Sequence, residues 1–103
     1  MTYLEIYSSS IASFEGLESF INLQDFRIIF STSFVTSIDM SALNQLTRIE
    51  IDGCTALTNV IINAPQLNRL KIANCALTSI NLSGMPNLIE VDLNHNQLTS
   101  YTH

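Results

Sequence analysis

The 103-residue sequence predicts a solenoid: short parallel strands stacked into one sheet, with short extended or helical segments returning behind it. Three observations carry that expectation. Between Leu46 and Asn96 one phrase recurs almost three times, as Leu46, Ile49, Ile51, Cys54, then Leu67, Leu70, Ile72, Cys75, then Leu88, Val91, Leu93, Asn96. Its copies begin 21 residues apart, the interval that also separates Cys54 from Cys75 and Pro65 from Pro86. A fixed period of that size means a stacked array. Within each copy the apolar residues alternate, which is the period of a strand. Because every strand is followed by a return path and then by another strand in the same direction, the sheet must be parallel.

The frame extends backwards through Leu23, Phe26, Ile28 and Ser31 to Met1, Leu4, Ile6 and Ser9. Five units then cover one domain, at 1–22, 23–45, 46–66, 67–87 and 88–103, with strands expected over 3–7, 25–29, 48–52, 69–73 and 90–94. After each strand stands Ser9, Ser31, Cys54, Cys75 or Asn96. These residues are small and polar enough to hydrogen-bond the backbone where the chain leaves the sheet, a need set by amides that cannot reach water. Ile11, Val35, Leu57, Leu77 and Leu98 then return to the core. A second alternating pair follows in Ile38 and Met40, Val60 and Ile62, Ile80 and Leu82, with Phe14 and Tyr101 in the first slot. It reads as a short second strand or extended segment on the opposite face. Phe14, Leu17 and Phe20, behind the capping residue Ser13, have the spacing of a helical turn. Pro65 and Pro86 fall in the turn before the next strand, where a missing amide hydrogen does least harm.

The pattern L-x-x-L-x-L-x-x-[N/C/S]-x-L, clearest in LNRLKIANCALTSINL (67–82) and LIEVDLNHNQL (88–98), resembles the leucine-rich repeat family. Its short period and LTS turns look like the internalin-like repeats of bacterial cell-surface proteins. The resemblance implies a curved solenoid whose strands line a concave face that binds proteins or carbohydrates. Units one and two depart from the pattern, with serine at the ladder site and Phe34 and Val35 one or two places late.

If the strands lie in register, outward residues form files about 4.8 Å apart. One file is Glu5, Arg27, Glu50, Lys71, Asp92, alternating in sign. A second is Tyr3, Asp25, Arg48, Arg69, Glu90, and a third is Tyr7, Ile29, Asp52, Ala73, Asn94. All 4 basic residues and six of the 9 acidic ones then share a sheet. These files are the candidate recognition surface, with Arg48, Arg69 and Lys71 as anchors and Tyr3, Tyr7 and Ile29 as apolar bulk at one end. The competing reading is structural: opposite charges on neighbouring strands pair with each other and fix register, at about 0.2–1 kcal/mol for each exposed pair.

Catalytic and cofactor chemistry finds no foothold in the motifs. Cys54 and Cys75 occupy equivalent slots and are expected to be free, buried thiols, inert without a nearby base. Asp92, Asn94 and Asn96 open like a calcium loop, but Gln97 stands where the turn needs glycine and His103 where a bidentate glutamate is needed. His95 has no second ligand at metal spacing and reads as a surface residue. Asn81-Leu82-Ser83 fits a glycosylation sequon whose Leu82 is needed in the core. The net charge of −5 argues against nucleic acid, where a basic stripe is expected. The apolar runs fall far short of the roughly 18 residues of a membrane span.

The expected function is therefore a non-enzymatic module that binds a protein or carbohydrate ligand, with a structural spacer or self-associating segment as the alternative. Polar side chains that are mostly Ser, Thr, Asn and Gln point to a cell-surface or secreted bacterial protein, or equally to an ordinary solvated face. No leader is visible in this chain, and a cytoplasmic location is the alternative. Neither end reads as a polar cap, so the chain is expected to be part of a longer protein or to form a homo-oligomer through its terminal strands.

Overall fold

The computed structural model describes residues 2–7, 19–29 and 35–102. Nine strands run through them: β1 (Tyr3–Tyr7), β2 (Asp25–Ile29), β3 (Ser37–Met40), β4 (Arg48–Asp52), β5 (Asn59–Ile62), β6 (Arg69–Ala73), β7 (Ser79–Asn81), β8 (Glu90–Asp92) and β9 (Ser100–Thr102). A five-stranded parallel sheet takes the order β1-β2-β4-β6-β8, while β3-β5 and β7-β9 form two separate two-stranded parallel sheets. The chain is thus a solenoid of stacked parallel strands. No α-helix occurs among the described residues, and the helical turn expected around Phe14 and Leu17 lies outside them.

Register follows the repeat. Leu4, Phe26, Ile49, Leu70 and Val91 stand side by side across the five-stranded sheet, and so do Ile6, Ile28, Ile51 and Ile72. The front strands of units one and two therefore keep the same frame, while the departures expected at Ser9, Ser31 and Phe34 lie outside the described residues. All of these inward residues but Val91 meet Ile38, Met40, Val60 and Ile80 from the rear strands, and Leu82 just past β7, in one apolar core, with Leu57 and Leu77 filling the turns between. Alternation puts every second side chain inside, and stacking lets each coil cover the next.

The last front strand, β8, is shorter than expected, ending at Asp92 rather than at 94. There the chain is already leaving the sheet. The Asn94 carbonyl accepts the Asn74 amide at 3.1 Å, and the Asn96 side-chain amide caps the carbonyls of Leu93 and Asn94 at 3.1 and 3.3 Å. Those carbonyls serve the turn rather than a ladder.

The three described exit turns, after β4, β6 and β8, use the same backbone device. Gly53, Asn74 and His95, one step before the ladder slot, have φ of 86°, 54° and 59°, the left-handed region that glycine enters freely and asparagine and histidine tolerate. Each entry uses another: the carbonyls of Thr2, Gln24, Thr47 and Asn68 each accept two consecutive amides from the following coil, as Gln24 does from Thr47 at 2.7 Å and Arg48 at 3.1 Å. Before each later front strand the carbonyls of Leu43, Ala64 and Met85 accept the amides of Leu46, Leu67 and Leu88. Pro65 and Pro86 sit second in those turns, where a fixed φ suits the bend and no amide is required.

The rear strands, unlike the front ones, stack only in pairs. Ser37 aligns with Asn59 and Ser79 with Ser100, but β5 and β7 belong to different sheets. Asn59 and Ser79 begin their strands 20 residues apart, whereas Arg48, Arg69 and Glu90 begin theirs at intervals of 21. The missing residue returns in the next turn. One residue, Asn63, separates Ile62 from Ala64, but two, Ser83 and Gly84, separate Leu82 from Met85, and Gly84 absorbs the addition with φ of 80°.

Candidate functional site

The front sheet carries the charge on its outer face because strand alternation commits the other residues to the core. Across it Glu5, Arg27, Glu50 and Lys71 stand in register, followed by Asp92, and beside them Tyr3, Asp25, Arg48, Arg69 and Glu90. All four basic residues share this surface, as their spacing predicts.

Glu50 is the hub. Its side chain is 17% exposed and meets three cations: Arg27 Nε at 2.8 Å, Arg48 at 3.7 Å and Lys71 Nζ at 3.9 Å. Arg27 also reaches Glu5 at 3.3 Å, and Lys71 reaches Asp52 Oδ2 at 3.7 Å. Asn74 donates to the other Asp52 oxygen at 2.9 Å. The alternating file thus does what charge pairing predicts, and much of its charge is neutralised internally. Away from the hub the pairing thins, with Arg69 meeting Glu90 at 3.5 Å between side chains that are both more than half exposed.

Arg48 and Arg69 are direct neighbours in register, the one like-charged pair among the described ladder partners. Beside Arg48 on its other flank stands Asp25, whose Oδ1 is buried without a hydrogen-bond partner. A shallow depression of about 260 Å³ opens here, lined by Arg48, Glu50, Arg69, Lys71, Glu90 and Asp92 over the backbone of Ile49 and Leu70.

The third file is less complete than its spacing suggests. Tyr7, Ile29, Asp52 and Ala73 align, but Ala73 is buried and Asn94 lies past the end of β8. Asn94 has already left the strand. At the β1 end Tyr3 is 46% exposed and donates its hydroxyl hydrogen to Glu5 Oε2. That bond, accepted by a carboxylate, holds the phenol's pKa above its ordinary value. Ile29 is half-buried.

The remaining sequence candidates resolve locally. Cys54 and Cys75 are free and buried, and the Cys75 thiol donates to the Ala73 carbonyl at 3.2 Å. The hydrogen bond between the two thiols, and then burial, push Cys54 well above the usual thiol range, which keeps it un-ionised. Asp92 turns its Oδ1 to the Asn94 amide at 3.0 Å, whereas Asn96 is aimed at the backbone between coils, so the calcium-like trio does not converge. Among the described residues no group of three His, Cys, Asp or Glu is placed to hold a metal ion. Leu82 is buried, and Asn81 accepts from the Ser83 amide and hydroxyl at 2.9 and 2.7 Å. No helix among the described residues is long and apolar enough to cross a membrane.

Sequence reasoning missed the left-handed turn at His95, reading it only as a surface residue. The signal lay in the repeat: Gly53 and Asn74 hold the same slot, and both types favour positive φ. It also missed the Arg48–Arg69 adjacency as a departure from alternation, although the file order contains it.

Fold and surface together define a class, a repeat solenoid with a charged front sheet. No family model, curated protein or solved structure matches this chain significantly.

Proposed function

We propose that the chain is a leucine-rich repeat module, of the short-period kind found on bacterial cell surfaces or in secreted proteins, and that it binds a partner through its front sheet. The 21-residue period and the Asn96 side chain that caps backbone groups of the adjacent coil support the family reading. The observation that carries the binding reading is the depression over β4 and β6, which gathers three cations and three carboxylates on one rigid surface. A protein segment suits it better than a sugar. No aromatic ring lines it, and a sugar's apolar C–H face is held best on such a ring, whereas charged groups at strand spacing match a polypeptide.

The test compares the wild-type chain with the combined Arg48→Gln, Arg69→Gln, Lys71→Gln variant on peptide and glycan arrays. The wild type should bind defined peptides saturably and the variant should lose them, with a melting temperature lowered by no more than a few degrees, as expected for exposed pairs. Equal binding by both proteins, or binding by neither, would sink the reading.

A self-associating segment is the second reading, favoured by Ile89 and Val91, which are 79% and 41% exposed on the β8 side of the solenoid. Stacking β1 of one copy against β8 of another in the same register would set Glu5 against Asp92. Association of this kind must therefore strengthen with salt, because screening relieves like-charge contact. Sedimentation velocity at low and high salt reads it directly.

A further inference from the structure

We propose that Arg48 and Arg69 together seat a single carboxylate of a peptide partner, and that Glu90 and Asp92 beside them take a basic residue of the same peptide. The inference rests on reading the front sheet as a binding face, and names the ligand chemistry that the face selects.

The argument starts from register. Every other charged pair among the described ladder partners is opposite in sign, from Glu5–Arg27 to Lys71–Asp92. Arg48 and Arg69 alone repeat a charge, and like charges directly opposite each other on a sheet destabilise it. Internal carboxylates do little to offset this. The one ion pair of Arg48 runs to Glu50 at 3.7 Å, to the same Oε2 that already takes Arg27 Nε at 2.8 Å. The one ion pair of Arg69, with Glu90, is 3.5 Å long. Charge-assisted N–H···O bonds close to about 2.7–2.9 Å, so both guanidinium groups keep donors for a further oxygen. Asp25 is the nearest alternative and forms no ion pair with Arg48.

Two arginines one strand spacing apart, about 4.8 Å, can each present a donor to one oxygen of a shared carboxylate. Guanidinium geometry suits this planar, two-oxygen acceptor. The depression of about 260 Å³ has room for the side chain of an aspartate or glutamate. Its lining balances, with Arg48, Arg69 and Lys71 against Glu50, Glu90 and Asp92. A polyanion gains no long-range attraction there and runs into Glu90 and Asp92. An acidic residue followed two positions later by a basic one, in extended conformation, meets opposite charge at both places.

The test follows the Nε–Hε resonances of the arginine side chains by NMR while acetyl-Glu-Ala-Lys-amide is added to the intact chain. Arg48 and Arg69 should shift together with one saturating curve while Arg27 stays in place. Arg48→Gln or Arg69→Gln should each weaken binding roughly tenfold, the loss of about one charge-assisted bond. Acetyl-Glu-Ala-Glu-amide should bind more weakly than the Lys peptide, and acetyl-Gln-Ala-Gln-amide should not bind. Shifts reproduced by sodium chloride at equal ionic strength would overturn the carboxylate seat, as would equal shifts at Arg27. Saturable shifts from methyl glucuronide but not from the peptides would overturn the peptide source. If the peptides fail but the triple variant still loses its array partner, the sheet remains the binding face and only the carboxylate seat falls.

Discussion

Asn96 joins two coils through one amide. Its Nδ2 donates to the Ile72 carbonyl of the preceding coil at 2.6 Å and to Leu93 at 3.1 Å, while its Oδ1 accepts the Leu77 amide at 3.1 Å. A buried turn leaves such groups nowhere else to go. Asn96→Ala removes the side-chain donors and acceptor together, and chemical denaturation should register a loss of about 2 kcal/mol, the cost of stranding partly buried backbone groups. A loss under a few tenths would mean that water replaces the amide. Cys75 holds the same slot one coil earlier, and its single weak S–H donor goes to the Ala73 carbonyl. The slot was visible in the sequence as a column of small polar residues, and its hydrogen-bonding purpose could be argued there. Which groups each member satisfies was not visible, because it depends on the neighbouring coil's turn, 19 to 24 residues away along the chain.

The front and rear strands show how one change in spacing acts on a whole element. The front strands from β4 onward keep a period of 21, which holds Arg48, Arg69 and Glu90 in line. The rear strands lose one residue between Asn59 and Ser79 and recover it at Gly84, and the rear ladder is broken between β5 and β7. Ile61, where the neighbouring units have Asp39 and Asn81 accepting the Ser41 and Ser83 amides, is left 43% exposed beside the break. These Ser41 hydrogen bonds hold Asp39 below the ordinary carboxylate pKa. At Gly84 an added Cβ would meet nothing within 4 Å, so a substitution there isolates the backbone. Gly84→Ala should cost about 1 kcal/mol, the penalty of a left-handed φ for an L-residue. A neutral result would show that the turn relaxes to another path. The four front strands through β6 could be delimited from alternation alone. The rear interruption was not anticipated, since it comes from comparing two spacings that look interchangeable until the coils are stacked.

At the scale of the whole molecule, burial falls off along the stack. Ile51 and Ile72 are fully buried in the middle coils, while Val91 in the same sheet is 41% exposed. A one-dimensional stack gives each coil only its two neighbours for cover, so equal side-chain losses should have unequal costs. Val60→Ala, at a side chain only 7% exposed, should destabilise by about 2 kcal/mol, the transfer and cavity terms together, and Val91→Ala by about 1 kcal/mol because much of that side chain never left water. Equal losses in urea unfolding would contradict the gradient.

By itself the sequence determined the period, the alternation and therefore which side chains line the core and which form charged files, because a strand's two faces and a fixed repeat leave no freedom in that assignment. The tertiary structure decided what the files do to one another. It made Glu50 a hub for three cations, left Arg48 and Arg69 side by side, and broke the rear ladder between β5 and β7. Those outcomes depend on distances between side chains on different coils, and such distances are set only when the coils pack.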